Sequence, residues 1–162
     1  MKKLAAQMLL AGAAIVSAGM VFGEAGKKPT VEPAKTQAKK TFDTINQAYE
    51  KGDINTLLSN IASDATLTLI GVNDGSFYAG YENVKNALKK AAEIRSAYKC
   101  KTAEQIIKLN NASDVAWIAQ KNDCTFTTAE KTTNVTIRST AVEVKKGGKW
   151  LLIQSHDSIG TP

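Results

Sequence analysis

Arg138-Ser-Thr-Ala-Val-Glu-Val-Lys-Lys-Gly-Gly-Lys-Trp-Leu-Leu-Ile-Gln-Ser-His-Asp-Ser158 decides the fold. Gly147-Gly148 stands between two runs of strand-forming residues, and two glycines are what a tight hairpin turn demands, because both central positions need positive φ. Centring the hairpin there sets Val142 opposite Ile153 and Val144 opposite Leu151 on one face. Arg138 then lies opposite Asp157 further along that face. The turn chemistry and the cross-strand pairs agree, so the chain ends in two long antiparallel strands.

The same reasoning extends upstream. The loop Asn110 to Asp114 is centred on Ala112, which makes Cys100 and Cys124 face each other across the preceding strand pair. Facing positions bring Cβ atoms close to disulfide distance. A Cys100–Cys124 staple is therefore expected, worth roughly 3 kcal/mol by loop closure. A redox or metal role is disfavoured, since the chain has no CxxC and a single His; neither a metal nor another cofactor is expected. A turn near Ala129-Glu130 pairs Trp117 with Val142, Ala119 with Thr140 and Lys121 with Arg138.

Carried across all four strands, one face collects Ile107, Leu109, Val115, Trp117, Val142, Val144, Leu151 and Ile153, then Lys121, Thr140, Arg138, Ser155 and Asp157. This face, apolar at one end and charged at the other, is the expected helix-covered pocket. An amphipathic small molecule would set an acidic group on Arg138 and Lys121 and its apolar body on Trp117, Val142 and Ile153. The same groups also read as a rim of ion pairs, Asp157 and Asp123 against Arg138 and Lys121, closing an ordinary core. The opposite face gathers Ile106, Ile118, Phe126, Trp150, Leu152 and His156, a patch that no element of the chain remains to cover. A homodimer through that face is expected.

Toward the N-terminus, Ala38, Phe42, Ile45 and Tyr49 recur at helical spacing until Gly52, a natural C-terminal cap, and Asp53 can cap a second short helix. Ala65 to Gly71 alternates as a strand, Asn73-Asp74-Gly75 is a turn into a short strand around Phe77, and Tyr81 to Ala97 returns to helical spacing. The order is helix, helix, strand, strand, helix and a four-stranded meander. Met1-Lys2-Lys3, the uncharged apolar run Leu4 to Phe22 and small residues at Gly23 and Ala25 have the layout of a secretory signal peptide, so residues 1–23 read as a leader and the protein as periplasmic or secreted. A retained membrane anchor is the rival reading, weakened by Gln7 and Ser17, and stable membrane insertion after cleavage is not expected. Residues 24–34 read as a flexible tether and 35–160 as one domain. Lys2 and Lys3 supply two units of the formal net charge of +6. Much of the remaining excess falls in the tether and first helix, so no basic stripe marks a nucleic-acid partner.

With Glu50-Lys-Gly-Asp-Ile54, Ser63-Asp-Ala-Thr66 and Tyr78-Ala-Gly-Tyr-Glu82 added to the hairpin, residues 35 to 160 resemble the nuclear transport factor 2-like superfamily in its SnoaL-like branch. The resemblance implies an α+β fold, a cone-shaped curved antiparallel sheet wrapped around three helices. A cystatin-like fold, the alternative on pattern alone, would carry one long helix. Function is implied weakly, because the superfamily mixes isomerases, dehydratases, assembly domains and binding modules. Its ketosteroid isomerases carry a tyrosine, a general-base aspartate and a penultimate-strand acid at positions that resemble Ile45, Leu69 and Thr140 here, so that chemistry is not expected. Tyr49 and Leu69 complete the expected pocket. Ser155, His156, Asp157 and Ser158 alternate between faces and cannot converge as a triad. The leading expectation is a binding module for an amphipathic, anionic molecule. Its rivals are a proton-transfer or hydration enzyme using Asp157 as base with Arg138 or Tyr49 assisting, and an assembly dimer whose cone is self-filled.

Overall fold

A computed structural model describes residues 31–73, 75–93, 97–127 and 131–160. The expected leader, most of the tether, Asp74 and the turn at Ala129-Glu130 lie outside them. The elements are α1 (Val31–Lys51), α2 (Ile54–Ser59), β1 (Thr68–Ile70), β2 (Phe77–Ala79), α3 (Tyr81–Glu93), β3 (Ala97–Leu109), β4 (Val115–Thr127), β5 (Thr132–Lys146) and β6 (Lys149–Ile159). Their order is the one the spacing predicts. Helix α1 starts earlier than expected, since Val31 to Ala34 are helical and Ala34 is buried, so the tether is shorter than 24–34. Ala97 opens a strand instead of closing a helix.

Helix α1 buries Ala34, Ala38, Phe42, Ile45 and Ala48, a stripe at three- and four-residue spacing. It stops at Gly52, whose φ of 70° suits glycine. Asp53 then caps α2, its Oδ1 accepting from Thr56 N at 3.0 Å. The Thr56 hydroxyl and amide bonds hold the Asp53 carboxyl below its ordinary range. The stretch after α2 is latched to β6, with Leu152 N donating to Asn60 O and Ala62 N to Leu152 O.

The six strands form one open, mixed sheet in the order β2-β1-β6-β5-β4-β3, in which β1 runs parallel to β6 and every other pair is antiparallel. The β5–β6 turn uses Gly147 and Gly148 at φ 57° and 82°, and Val144 faces Leu151 as expected. Beyond that the expectation fails. Ile153 bulges, so Val142 faces Gln154 and Arg138 faces Ser158. A one-residue bulge reverses the face of everything beyond it on that strand. The β4–β5 register is the expected one, with Trp117 opposite Val142 and Lys121 opposite Arg138.

The β3–β4 pair carries a second bulge, which skips Ala103. Beside the loop, Leu109 faces Ala116 and Lys108 faces Trp117, one step off the expected register; past the bulge Cys100 faces Cys124 as expected. The two cysteines are joined in a disulfide. The loop itself is held by Asn110 Oδ1, which accepts from Asp114 N and Val115 N.

On β4 and β5 the helices cover the face opposite to the one expected, whereas Ile107 of β3 joins the core and Leu109 packs against it, as expected. The core joins the α1 stripe to Ala116 and Ile118 of β4, Ala141 of β5, and Trp150 and Leu152 of β6. On the sheet side this core is lined by the small Ala116 and Ala141 beside Ile118, whereas the larger Trp117 and Ile106 point away and are 49% and 58% exposed.

Candidate functional site

Strand alternation decides which side chains enter the space beneath α1. On β4 these are Ala116, Ile118, Gln120, Asn122 and Cys124; on β5, Ile137, Ser139, Ala141 and Glu143. Ala116, Ile118 and Ala141 join the core, and Gln120 of β4 bonds toward β3. Gln105 Nε2 donates to Asp43 Oδ1 of α1 at 3.3 Å and to Gln120 Oε1 at 2.8 Å. Gln120 Nε2 donates in turn to Thr102 Oγ1 at 3.2 Å and Asn122 Oδ1 at 2.5 Å. Gln120 is 5% exposed and Asn122 7%. Such a buried amide chain is tolerated because its members satisfy one another.

This chain floors a cleft of about 410 Å³ between α1 and β3–β4. Asn46, Gln47 and Tyr49 of α1 form one wall, and Tyr98 and Thr102 of β3 stand on the other side. The Tyr49 and Tyr98 rings meet at right angles with centroids 5.6 Å apart, and Tyr98 packs on Phe126 at 4.8 Å. The two ends of the cleft are braced by α1 carboxylates. Lys39 Nζ lies 2.5 Å from Asp43 Oδ2, and Glu50 Oε1 accepts from Cys100 N at 2.7 Å.

Two further acids lie on the helix-covered face. Glu143 is 0% exposed, and neither carboxyl oxygen has a protein donor among the described residues; Trp150 Nε1, diagonal to it across the β5–β6 pair, has no acceptor. Burial first, and the Asp43 charge second, push the Glu143 carboxyl up to about 8. Asp157 is also raised by burial, against the opposing effects of a Ser139 hydrogen bond and nearby His156.

The expected pocket is therefore split. Tyr49 lines the cleft, Leu69 packs against the core, and Ser155 and Asp157 lie on the helix-covered face opposite Ala141 and Ser139. Trp117, Lys121, Arg138, Thr140 and Val142 are on the outer face, and Ile153 sits at the bulge. Arg138 and Asp157 are thus on opposite faces and cannot act on one group. The expected interface divides likewise. Ile106 and His156 are on the outer face, but Ile118, Trp150 and Leu152 are core, and Phe126 packs on Tyr98 beneath the helices. Trp117, Thr140 and Val142 line a shallow outer groove of about 370 Å³ with Ile106 and Lys108.

Gln105, Gln120, Asn122, Asp43 and Glu143 were not in the expected site. Their signal in the sequence is parity, since Gln120 and Asn122 share that of Ala116 and Ile118, and Glu143 shares that of Ala141. Glu143 also supplies an inward acid on the penultimate strand, three residues past Thr140, where none was expected. Among the described residues no three His, Cys, Asp or Glu groups stand together as metal ligands, and no helix is long and apolar enough to cross a membrane.

Residues 38–162 match the SnoaL-like domain family. No curated protein matches the chain in sequence. Among solved structures, it is similar to a Streptomyces avermitilis protein proposed to be a dehydratase of the nuclear transport factor 2-like family (TM-score 0.75, 13% identity, 82% of this chain and 100% of that one). It is also similar to a nuclear transport factor 2-like superfamily protein of Salmonella enterica (TM-score 0.72, 13% identity, 82% and 95%). A third similar structure, from Xanthomonas campestris, is proposed to be a calcium/calmodulin-dependent protein kinase II association domain (TM-score 0.64, 26% identity, 75% and 84%).

Proposed function

The chain belongs to the SnoaL-like domain family, and from that premise we propose that it is a small-molecule-binding domain whose ligand occupies the cleft between α1 and β3–β4. The observation that carries this reading is the cleft's floor, a buried chain of amides opening into about 410 Å³ of space bounded by two tyrosines. That volume lies within the roughly 300–1,000 Å³ of ordinary ligand pockets. The anionic ligand expected from Arg138 and Lys121 loses its support, because both cations are on the outer face and Lys39 in the cleft is paired with Asp43. The Cys100–Cys124 bond supports an exported setting, since such bonds persist in oxidising compartments.

A thermal-shift screen of small molecules on the disulfide-bonded protein tests the proposal. A compound that raises Tm for the wild type and for Trp117→Ser, but not for a folded Gln120→Leu variant, supports it. Hits that survive Gln120→Leu and vanish in Trp117→Ser would place binding on the outer groove and refute it.

A second reading, assembly, rests on the outer face. Exposed Ile106 and Trp117 flank a depression floored by Ala119 and Thr140. A patch that carries both projection and hollow is self-complementary, which favours a two-fold homodimer.

A further inference from the structure

Beyond the cleft, we propose that Glu143 and Trp150 together bind an internal water molecule on the helix-covered face, at a site that stands or falls independently of any cleft ligand. Three side-chain atoms carry the argument. Glu143 Oε1, Glu143 Oε2 and Trp150 Nε1 are buried and have no hydrogen-bond partner among the described residues. Glu143 is 0% exposed and Trp150 2%. Buried polar groups are nearly always satisfied, by protein or by ordered water, so three such atoms on one face need a common explanation.

Register brings them together. Glu143 faces Leu152 and Lys145 faces Trp150, so Glu143 and Trp150 take diagonal positions on one face of the β5–β6 pair, within reach of long and aromatic side chains. Short neighbours give them room. Ala116 stands directly opposite Glu143 on β4, and Ala141 is the next inward side chain of β5, so both stop at Cβ where the carboxyl extends past them. The β5–β6 ladder is also interrupted beside Glu143 by the bulge at Ile153. A polar pair set among short side chains, next to a break in the ladder, meets the two conditions for an enclosed water, which are space and polar partners.

The chemistry of the three atoms selects the occupant. An indole N–H only donates, whereas a carboxyl accepts and, when protonated, also donates. A cation would be repelled by the indole N–H, and no three His, Cys, Asp or Glu groups stand together to hold a metal among the described residues. An anion would meet the charge of Asp43, which already acts on the Glu143 carboxyl. The occupant is therefore neutral, accepting from the indole and sharing a hydrogen bond with the acid. It is also small, since neither Glu143 nor Trp150 lines the cleft or the outer groove. Water meets every condition, and internal waters make about three bonds to groups of this kind.

Magnetisation transfer between water and the Trp150 indole proton, measured by NMR on the full-length, disulfide-bonded protein, tests the proposal. The chain has two tryptophans, and Trp117, 49% exposed, serves as the internal reference for surface solvent. Trp150 should show the opposite-sign NOE and ROE cross-peaks of a long-lived water, and Trp117 should not. Glu143→Gln keeps a donor and an acceptor but removes the exchangeable carboxyl proton, so the Trp150 signal should persist in it. Glu143→Leu should lose the signal. Should Glu143→Leu fail to fold, a crystal structure of the wild type decides, with density expected for a water within hydrogen-bond distance of both side chains. A signal seen in the wild type but absent from Glu143→Gln would come from the carboxyl proton itself and overturn the proposal. So would the absence of any water cross-peak at Trp150, a cross-peak undiminished in Glu143→Leu, or a direct bond from Trp150 Nε1 to the Glu143 carboxyl in the crystal.

Discussion

Replacing Glu143 with glutamine should make the protein more stable at neutral pH. In the folded chain the carboxyl is wholly buried and has no donor among the described residues, and its pKa is pushed to about 8 from an ordinary 4.5. Asp43 of α1 adds to the shift, and Lys145, on the same face of β5, spends its ammonium on Gln37. Below pH 4.5 both the folded and unfolded chains hold the proton and the residue costs nothing by titration. As pH rises toward 8 the unfolded chain ionises while the folded one must keep its proton, so the unfolded state binds fewer protons and stability falls by about 1.4 kcal/mol per pH unit. At pH 7 the accumulated loss is about 3 kcal/mol, and it levels off above pH 8. Glu143→Gln abolishes that slope while keeping the shape. Asp64, Asp53 and Asp157 also titrate, but they are common to both proteins and cancel in the difference. Urea denaturation of wild type and variant from pH 4.5 to 8.5, with the disulfide intact, reads the result directly. The two curves should meet near pH 4.5 and separate steadily up to pH 8, the variant above. Parallel curves, or a variant weaker at pH 7 than at pH 4.5, would mean that Glu143 is ionised and stabilised in the fold, and the account of a buried, neutral acid would be wrong.

Cys100→Ser should cost about 3 kcal/mol in the oxidised protein and almost nothing after reduction, measured by the same unfolding assay. Light scattering should find a dimer for the wild type and a folded monomer for Trp117→Asp; a monomeric wild type at tens of micromolar would leave the outer face to some other cover. Leu152→Lys, in contrast, should unfold the protein rather than split a dimer, because Leu152 is buried in the core, and loss of the far-UV circular dichroism signal would show it. Double-bond isomerisation of a simple enone should stay at background, since the position that resembles the family's base is Leu69, and turnover above background would mean that another residue, Glu143 first among them, moves the proton.

Element order was open to reading because it rests on local chemistry. Gly52 can take the left-handed conformation that ends α1, Asp53 can cap α2, and Gly147-Gly148 admits only a tight turn. The β4–β5 register followed from its turn, and Cys100 facing Cys124 followed from a loop centre. That second success conceals two offsets that cancel: pairing beside the loop is one residue off, and the bulge at Ala103 restores it before the cysteines. No residue type marks that bulge or the one at Ile153, since both are set by how long strands twist and close around the helices. The inner face was misread for a different reason. Apolar side chains are plentiful on both faces of β4 and β5, so counting them favours the side with Trp117, Val142 and Val144. What the count misses is side-chain size, because the covered side carries the small Ala116 and Ala141, which share the core with the alanines of α1. The amide chain of Gln105, Gln120 and Asn122 followed the same parity inward, and the candidate site moved with it.

Strand β3 has one neighbour among the described strands, so the backbone groups that do not pair with β4 face the rim of the sheet, where Glu50 covers the Cys100 amide. Such a rim is a template on which another chain's strand can add, and addition can repeat into fibrous polymer. Lys99 and Lys101 place charge on it, and the kink at Ala103 breaks its length into two short runs. The disulfide adds a kinetic guard. By tying β3 to β4 it keeps the strand from peeling away and offering both of its sides to a second molecule. In a reducing medium that guard is gone, and the segment from Gln105 to Leu109, with its two adjacent isoleucines, becomes the point from which misassembly would spread.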